Sequence, residues 1–382
     1  MHLVDTTLFY SPTSGGVKRY LSAKHAWLAA HTAWEHTIVV PGRTMQLERG
    51  GVCTLPGCPV PGTFNYRLPL NPRRWARLLD ALEPTLIEAG DAFHPAWCGW
   101  RVALRRGIPL VGFYHSNLPQ LAGRRACGWF TEPVIRRYLR LLYARCDLVF
   151  APSRLMCEYL RELGVQNVVH QPLGVDTEVF NPVQRSDAVR ARLGLTADAR
   201  LLVYAGRFAR EKNLPVLLDA FARLGRPYHL LLIGGERAER LAANVTMLPY
   251  RRDSVELARY LASADALVHA GTKETFGLVV LEAMACGRPV VAARAGAFPE
   301  FVDESVGVLA APNCGASMAE AVAALYQRDL DAVGAAARAR VLRQFTWTRA
   351  FHAQITTYAS LVGAHRSAVA DTEILEARSP SS

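Results

Sequence analysis

The segment TKETFGLVVLEAMACGRPVVA, residues 272–292, contains an apolar run that ends at Gly287 and Pro289. A Gly just past a helix and a Pro shortly after it are typical of a helix C-terminus, so we predict a helix over 277–286. Apolar runs at 265–269 and 289–293 flank this helix and predict strands of a parallel sheet. The backbone N–H groups of 275–278 would then lie at a helix N-terminus, which attracts anions.

Two glutamates frame the start of this helix. Glu282 follows the start by about five residues, so it lies roughly 7–8 Å further along the axis at ~1.5 Å per residue. The carboxyl groups of retaining glycosidases lie about 5 Å apart, so Glu274 and Glu282 are poorly spaced to act at one bond. Their spacing suits the two ends of a long ligand with a charged middle, and a nucleotide diphosphate sugar has that shape. The alternative is two solvated glutamates.

The composition indicates a folded, soluble protein of two ordinary domains. The chain has 382 residues, of which 51% are hydrophobic and 20% are charged. Apolar runs of 18 or more residues do not occur, which excludes a membrane-spanning helix, and Asp5 argues against a signal peptide. The eight cysteines are scattered without a C-x-x-C pair, so we expect reduced thiols in a cytoplasmic protein and no metal site.

Short apolar runs alternate with helical patterns along the whole chain. In the first half the predicted strands are 2–9, 36–40, 84–88, 109–114, 147–151 and 167–171, and the helices are 16–30, 72–82, 131–145 and 153–163. In the second half the strands are 200–205, 228–234, 245–248, 265–269 and 289–293, and the helices are 213–223, 254–262 and 277–286.

This alternation predicts an α/β protein with two doubly wound domains. We place the first domain at 1–175, the second at 176–345, and a helix with one apolar face at 346–363. The stretch 172–184 reads as a linker, and 364–382 as a disordered tail. Ligands bind at the carboxyl ends of parallel strands, so a cleft between two facing sheets is the expected site.

The segment YAGRFAREKNLPVLLDAF, 204–221, predicts a strand, a basic loop and a helix that Asn213 caps, with Pro215 in its first turn. Arg207 and Lys212 lie at the carboxyl end of that strand. They could bind a diphosphate and stabilise it as a leaving group. Solvated surface charges are the alternative.

Two stretches of the first half also follow predicted strands. Gly15 and Gly16 in SPTSGGVKRYL would let the backbone approach a ligand closely, and His115 in GFYHSN ends a strand. A plain turn and a structural histidine are the alternatives. The chain contains no G-x-G-x-x-G, Walker or G-x-S-x-G motif, which disfavours dehydrogenases, P-loop NTPases and serine hydrolases.

Taken in order, these motifs resemble a known family. Gly-Gly after the first strand, A-G-R-F-x-x-E-K-N, and E-x-F-G followed by L-E-A-M-A-C-G-x-P-V-V are similar to the retaining glycosyltransferases of glycosyltransferase family 4, also called glycosyl transferases group 1. A-P-S-R (151–154) and L-G-V-D-T-E-V-F (173–180) extend the resemblance over about 1–363. It implies the GT-B architecture, in which two Rossmann-like domains face each other across a cleft.

The resemblance also implies residue roles. Glu274 resembles the glutamate that holds the donor sugar, Glu282 the one that holds the ribose, and His115 the histidine close to the sugar. The residues that resemble the diphosphate site are Arg207, Lys212, Thr275, Phe276, Gly277, Leu278, Gly15 and Gly16. Those that resemble the base site are Tyr250 and Arg251. Thr275 stands where many relatives have Gly or Ser, and His170-Gln171 replaces an asparagine-rich turn.

The implied mechanism is transfer without a metal or other cofactor, because Arg207 and Lys212 neutralise the departing diphosphate. No nucleophile is evident, so the resemblance implies front-face transfer with retained anomeric configuration. The donor is a UDP- or GDP-sugar, and we favour UDP-glucose or a similar hexose over GDP-mannose. The acceptor is a hydroxyl compound, and its linkage and the oligomeric state remain open.

The net charge of +11 is concentrated in one region. Between Arg101 and Arg145 there are nine arginines and one acid, Glu132. This mixture suits an anionic partner, and in this architecture the N-terminal domain binds the acceptor. The basic amphipathic stretch 129–146 predicts binding to an anionic bilayer and a lipid acceptor through Trp129, Phe130, Arg136, Arg137 and Arg140. A soluble acceptor, or a core-facing helix with solvated arginines, is the alternative.

Two other classes also fit parts of the sequence. A nucleotide-sugar epimerase shares the two-domain architecture but needs acid and base groups at the sugar. A nucleic-acid-binding protein fits the charge, yet the chain contains no recognisable binding module, so we expect no nucleic-acid partner. The predicted location is the cytoplasm, with peripheral attachment to the inner face of the membrane.

Overall fold

The computed structural model describes residues 1–10, 15–60, 66–115 and 128–378, with the side chains of 128–131 and 368–378 excepted. The chain divides into two compact units. Met1–Pro172 and Ala350–Ser382 form the first unit, and Leu173–Arg349 form the second.

The first unit is built on a seven-stranded parallel sheet with the order β3-β2-β1-β6-β7-β8-β9. A small antiparallel pair, β4 and β5, accompanies it. The strands are β1 His2–Thr6, β2 Glu35–Gly42, β3 Val52–Pro56, β4 Cys58–Pro59, β5 Arg67–Leu68, β6 Leu86–Ala89, β7 Leu110–Phe113, β8 Leu148–Ala151 and β9 Val168–His170.

Helices cover both faces of this sheet. Four of them bury their apolar side chains, including Trp75, Val102, Leu139 and Leu160, in one core against the strands. The other face carries the first helix and the long C-terminal helix. The helices are α1 Gly16–His31, α2 Pro72–Ala81, α3 His94–Arg106, α4 Gly128–Tyr143, α5 Arg154–Glu162 and, after the second unit, α12 Trp347–Arg378.

The second unit repeats this plan with the strand order β12-β13-β11-β10-β14-β15-β16. Neighbouring strands are parallel except β12, which runs antiparallel to β13 at the edge. The strands are β10 Arg200–Ala205, β11 Tyr228–Gly235, β12 Glu239–Ala242, β13 Val245–Pro249, β14 Ala266–His269, β15 Val290–Ala293 and β16 Gly307–Ala310.

The helices of the second unit are α6 Asp187–Arg192, α7 Leu214–Leu224, α8 Ser254–Ser263, α9 Leu278–Ala285, α10 Gly315–Leu325 and α11 Leu330–Gln344, with short 3-10 turns at Pro182–Gln184, Arg210–Lys212 and Phe298–Glu300. One face packs α7 and α10 against the sheet through buried residues such as Leu217, Phe221 and Val322. Across the described ranges, no helix combines the length and apolarity that crossing a bilayer requires.

Two details differ from the sequence predictions. Asn213 precedes α7 with a left-handed backbone (φ 55°) and forms no side-chain cap; its amide donates to Asn313 Oδ1 instead (2.6 Å). Residues 364–378, predicted to be disordered, continue α12, and 379–382 lie outside the described residues. The stretch AHRSAVADTEILEAR has no Gly or Pro and is rich in helix formers, which explains the longer helix.

Candidate functional site

The candidate site of the second unit lies where the strand order reverses. The chain adds β11 on one side of β10 and later returns to add β14 on the other side. The loops that follow β10 and β14 leave the sheet in different directions at this point, which opens a crevice at the carboxyl ends of the strands. The loop after β10 carries Arg207 and Lys212, and the loop after β14 carries Glu274.

Lys212 and Glu274 form an ion pair in this crevice. Lys212 Nζ donates a hydrogen bond to Glu274 Oε1, and both side chains are mostly buried. Burial alone would raise the pKa of Glu274, but the nearby Lys212 and His269 outweigh it and the net pKa is lowered. The sequence analysis assigned these two residues to different parts of a ligand, and the structure brings them into direct contact.

His269, which the sequence analysis missed, completes this contact. Its Nδ1 accepts the N–H of Gly271 (3.0 Å), so the neutral ring carries its hydrogen on Nε2. That Nε2 lies 3.6 Å from Glu274 Oε1. Burial lowers the pKa of His269 to about 4, although Glu274 opposes the shift. His269 is therefore neutral at pH 7 and lies beside the carboxylate without adding charge.

Arg207 stands at the solvent side of the same loop. It follows Gly206, whose φ of 155° turns the chain away from β10. Its guanidinium lies 3.8 Å from Glu211 Oε1, and about a third of the side chain is exposed. Arg207 therefore lies at the exposed edge of the crevice, where its guanidinium can meet an anion.

The N-terminus of α9 supplies backbone groups to the same crevice. Gly277 has φ 92°, and a Cβ there would lie 2.7 Å from Phe298 Cε1, so only glycine fits this turn. The ring of Phe276 is buried against Phe301 (4.8 Å between centroids), which leaves only its backbone for a ligand. Thr275 and Leu278 flank these positions and are half-buried.

The remaining predicted donor residues lie further from the Lys212–Glu274 pair. Glu282 is the fifth residue of α9, and its side chain is 2% exposed. Tyr250 and Arg251 follow β13, two strands away from β10. Arg251 Nη1 lies 3.1 Å from Glu256 Oε1, and its guanidinium stacks over the ring of Tyr260.

The first unit has its own reversal point, between β1 and β6. Asp91, directly after β6, accepts hydrogen bonds from Thr7 Oγ1 (2.8 Å), from the Leu8 N–H and from the Phe93 N–H (3.0 Å). Burial raises the pKa of Asp91 to about 6, and these hydrogen bonds oppose the shift. Asp91 thus ties the two loops together. The sequence analysis missed it because a single aspartate in a loop carries no pattern.

Half-buried aromatic rings lie around the loops that Asp91 joins. Phe9 packs edge-on against Tyr66 (5.5 Å) and against Phe93 (5.7 Å). Gly15 precedes α1, and a Cβ there would meet no atom of the described residues within 4 Å; Gly16 is the first residue of that helix. These glycines therefore border the loops at the reversal point of the first sheet.

His115 follows β7 and stacks on Phe113, with centroids 3.9 Å apart and planes 6° apart. The ring of Tyr20 lies 4.9 Å away. Burial lowers the pKa of His115 to about 3, and Lys24 contributes to the shift. The side chain is therefore neutral at pH 7 and can act as a hydrogen-bonding group but not as a cation.

The comparisons with known proteins identify the family. The family model described as Glycosyltransferase Family 4 matches residues 14–179, and the one described as Glycosyl transferases group 1 matches residues 199–328. A GDP-mannose-dependent alpha-(1-6)-phosphatidylinositol dimannoside mannosyltransferase from Mycobacterium tuberculosis (strain ATCC 25177 / H37Ra) is 32% identical over 378 residues, covering 94% of this chain and 97% of that protein. The chain belongs to glycosyltransferase family 4.

A second relative is less completely covered. A D-inositol 3-phosphate glycosyltransferase from Xylanimonas cellulosilytica is 32% identical over 285 residues, 68% of each chain. Among solved structures, sucrose-phosphate synthase from Thermosynechococcus elongatus matches with a TM-score of 0.78 at 22% identity, over 95% of this chain and 99% of that one. HepE from Anabaena matches with a TM-score of 0.72 at 18% identity, over 94% and 99%.

These findings confirm the predicted family and the GT-B fold of two Rossmann-like α/β units. This family 4 enzyme is a glycosyltransferase that moves a sugar from a nucleotide sugar.

The described part of the basic region of this glycosyltransferase lies on α3, on α4 and just after α4, and 116–127 lie outside the described residues. The face of α4 that carries Leu139 and Leu142 packs into the core. Arg136 stacks over the ring of Tyr159 (5.6 Å). Arg137 and Arg140 are exposed. Trp129 and Phe130 belong to α4, but their side chains lie outside the described part of the structure.

Exposed apolar side chains accompany these arginines. Leu104 on α3 is 70% exposed, and Val134 and Leu141 on α4 are 66% and 45% exposed. The two helices adjoin, because Trp97 Nε1 of α3 donates to the hydroxyl of Tyr138 of α4 (3.1 Å). We call Leu104, Val134, Arg137, Arg140 and Leu141 the α3/α4 surface.

Proposed function

We propose that this glycosyltransferase transfers mannose from GDP-mannose to a hydroxyl of a lipid-anchored polyol, with retention of anomeric configuration and without a metal. The observation that carries the donor half is the Lys212–Glu274 pair at the β10/β14 reversal point. It combines a cation for phosphate with a carboxylate for sugar hydroxyls at the carboxyl ends of two neighbouring strands. UDP-glucose, favoured by the sequence analysis, is the competing donor.

The diphosphate is assigned to the cations and backbone of the crevice. Arg207 and Lys212 would neutralise the two phosphates, and the N–H groups at the start of α9 would add hydrogen bonds aligned with the helix dipole. Fixed cations can supply the leaving-group stabilisation that a metal supplies elsewhere. The carboxylate of Glu274, which Lys212 holds in the crevice, would accept hydrogen bonds from the sugar hydroxyls.

The nucleoside is assigned to residues further along the crevice. Glu282 would accept from the ribose hydroxyls, and Tyr250 and Arg251 would lie near the base. The carboxylate of Glu256, beside Arg251, can accept two neighbouring N–H groups. Guanine offers such a pair, whereas uracil offers a single N–H between two carbonyls. The Glu256 carboxylate and the mannosyltransferase relative together favour GDP over UDP.

The acceptor is assigned to the first unit. The rings of Phe9, Tyr66 and Phe93 provide an apolar wall at the strand ends, which suits the carbon face of a sugar or inositol ring. The names of both relatives contain an inositol compound. The α3/α4 surface supports a lipid acceptor, because exposed leucines and valine beside arginines suit an anionic bilayer.

In the proposed reaction the bond between the sugar C1 and the diphosphate oxygen breaks, and a bond from the acceptor oxygen to C1 forms on the same face. The acceptor proton moves to the departing phosphate oxygen, so no protein side chain needs to accept it. Neutral His115 would hydrogen-bond to the transferred sugar. Since its pKa lies far below 7, it cannot serve as an acid at neutral pH.

The test uses the full chain with GDP-mannose or UDP-glucose and vesicles that contain phosphatidylinositol or its dimannoside. Released GDP or UDP and the mass of the extracted lipid are measured, together with the recovered donor. A lipid heavier by one hexose, formed from GDP-mannose and absent in Glu274→Gln, supports the proposal. An epimerised donor without transfer, or glycosylation of soluble inositol phosphate alone, contradicts it.

A further inference from the structure

A charged cluster lies buried on the α1/α12 face of the first sheet. Asp5 on β1 and Glu88 on β6 are register partners, so their side chains stand next to each other. Lys24 of α1 reaches between them, with Nζ 2.9 Å from Asp5 and 3.0 Å from Glu88 Oε1. Lys24 is 0% exposed. Burying three ionisable groups costs more than an apolar filling of the same volume, which points to a role other than stability.

The C-terminal helix completes this cluster. Gln354 Nε2 donates to Tyr20 Oη (2.6 Å) and to Glu88 Oε2 (3.1 Å), and the hydroxyl of Tyr358 donates to Glu88 Oε2. Tyr20 donates its own hydroxyl to Glu88 Oε1 (3.0 Å). We call Asp5, Lys24, Glu88, Tyr20, Gln354 and Tyr358 the Glu88 cluster.

The charges of the cluster are consistent with one cation between two acids. Burial raises the pKa of Asp5, but Lys24 and His36 outweigh it and hold the value at about 2. Burial raises the pKa of Glu88 to about 8, against the opposing effect of Lys24. At pH 7 Asp5 is therefore ionised, while burial favours the protonated form of Glu88. Each member has a hydrogen-bond partner within the cluster, which fixes the geometry.

Tyr20 connects this cluster to His115. Its ring packs against His115 (4.9 Å) and against Phe113 (5.2 Å), while Phe113 covers a face of the imidazole. Phe351 of α12 contacts the same tyrosine ring (5.9 Å). The hydroxyl end of Tyr20 is thus held by the Glu88 cluster, and its ring limits where His115 can lie.

We infer that Tyr20 is a positioning residue for His115, and that α12 sets its orientation through Gln354 and Tyr358. The effect of this positioning on catalysis rests on the proposed function, in which His115 contacts the transferred sugar. The geometry of His115 itself does not depend on that function.

The test begins with the imidazole. Histidine labelled with ¹³C is incorporated into the full chain, and the His115 signal is assigned with His115→Gln. Tyr20→Phe and Tyr358→Phe each remove one hydroxyl and keep the ring. His365→Asn is the matched control, because it breaks a different contact of the same helix, between His365 Nε2 and Asp147 Oδ1 (3.0 Å). We expect the His115 signal to move in both tyrosine variants and to stay in the control.

Kinetics then separate positioning from docking of the helix. In Tyr358→Phe we expect kcat to fall by about tenfold to a hundredfold, as for a small displacement of a reacting group, with the donor KM unchanged. An unmoved His115 signal in both tyrosine variants overturns the inference, as does an equal loss of kcat in His365→Asn. A wild type without transfer activity, together with a moved His115 signal, refutes the proposed function and leaves the positioning role supported.

Discussion

Glu274 shows how a carboxylate remains ionised at a buried strand end. Burial favours its neutral form, and nearby groups, first among them the ammonium of Lys212, reverse that preference. The side chains of Glu274, Lys212 and His269 come from two loops and one strand end on neighbouring strands. The charge state of the crevice therefore depends on all of them together.

Replacing Lys212 by Met should remove most of the activity. The diphosphate loses a cation, so we expect kcat/KM to fall by about a hundredfold to a thousandfold, the usual cost of losing one charge-stabilising group. Arg210→Met is the matched control, since Arg210 lies in the same 3-10 turn and is exposed. Steady-state assays of both variants check this, and an equal loss in the two would argue against a specific role for Lys212.

A buried histidine of the second unit should make it sensitive to acid. Burial lowers the pKa of His229 on β11 to about 4, with a contribution from Arg240. The unfolded chain takes up a proton near pH 6.5 and the folded one only near pH 4, so stability is lost as the pH falls through this window. His229→Gln lacks this titration. Between pH 7 and pH 4 we expect the Tm of the wild type to fall further than the Tm of the variant, as measured by thermal unfolding. A constant difference would contradict it.

Single residues were only partly predictable from the sequence. Arg207, Lys212 and Glu274 stand next to strand ends, and motif position alone indicated their importance. The contact between Lys212 and Glu274 spans 62 positions and depends on which strands become neighbours, which the sequence does not state. His269 and Asp91 were missed because each is a lone polar residue without a motif around it. Asp91 finds partners in another loop, at Thr7 and Leu8, and His269 accepts the N–H of Gly271 in its own loop.

Elements were predicted best where the local pattern was strong. The strand predicted at 200–205 is Arg200–Ala205, and the helix predicted at 277–286 is Leu278–Ala285. Helix α3 was not predicted, since HPAWCGWRVALRR contains Gly and bulky aromatic residues that lower helix propensity. Its Gly99 has a tertiary cause: a Cβ there would lie 3.2 Å from Ile87 Cγ2, so the glycine allows close packing of helix on strand.

The C-terminal helix should tolerate trimming only at its far end. Its described contacts with the first unit involve residues up to Val362 and His365. A chain that ends at Ser367 should keep the wild-type Tm. A chain that ends at Ala353 lacks Gln354 and Tyr358, which exposes the Glu88 cluster and removes partners of a buried acid. Thermal unfolding and limited proteolysis of the two chains check this, and equal behaviour would contradict it.

At the scale of the whole molecule, the alternation of strands and helices was enough to predict two doubly wound sheets. Sequence order alone does not give strand order, because the same alternation fits several arrangements of a parallel sheet. The reversal points between β1 and β6 and between β10 and β14 follow from tertiary packing. They were not predicted from the sequence.

The whole enzyme should bind anionic vesicles through the α3/α4 surface. We expect sedimentation with phosphatidylglycerol vesicles at ~0.1 M salt, weaker binding at 0.5 M as screening increases, and none with neutral lipid. Leu104→Ser with Arg137→Glu should abolish it, because both the apolar contact and the charge are lost. Arg185→Glu, an exposed arginine of the second unit, is the control. Binding that survives the double variant would contradict this surface as the contact.

The Lys212–Glu274 pair has a consequence for the end of the reaction. An intact nucleotide sugar offers an anion to Lys212 and hydroxyls to Glu274, whereas the spent diphosphate offers only the anion. We expect the ratio of the Kd of GDP to the Kd of GDP-mannose to be larger in the wild type than in Glu274→Gln. Calorimetric Kd values check this, and equal ratios in the two proteins would contradict it. Once the sugar has left, the carboxylate of Glu274 competes with the diphosphate for Lys212 and so promotes product release. The same ion pair would therefore serve both donor binding and product release.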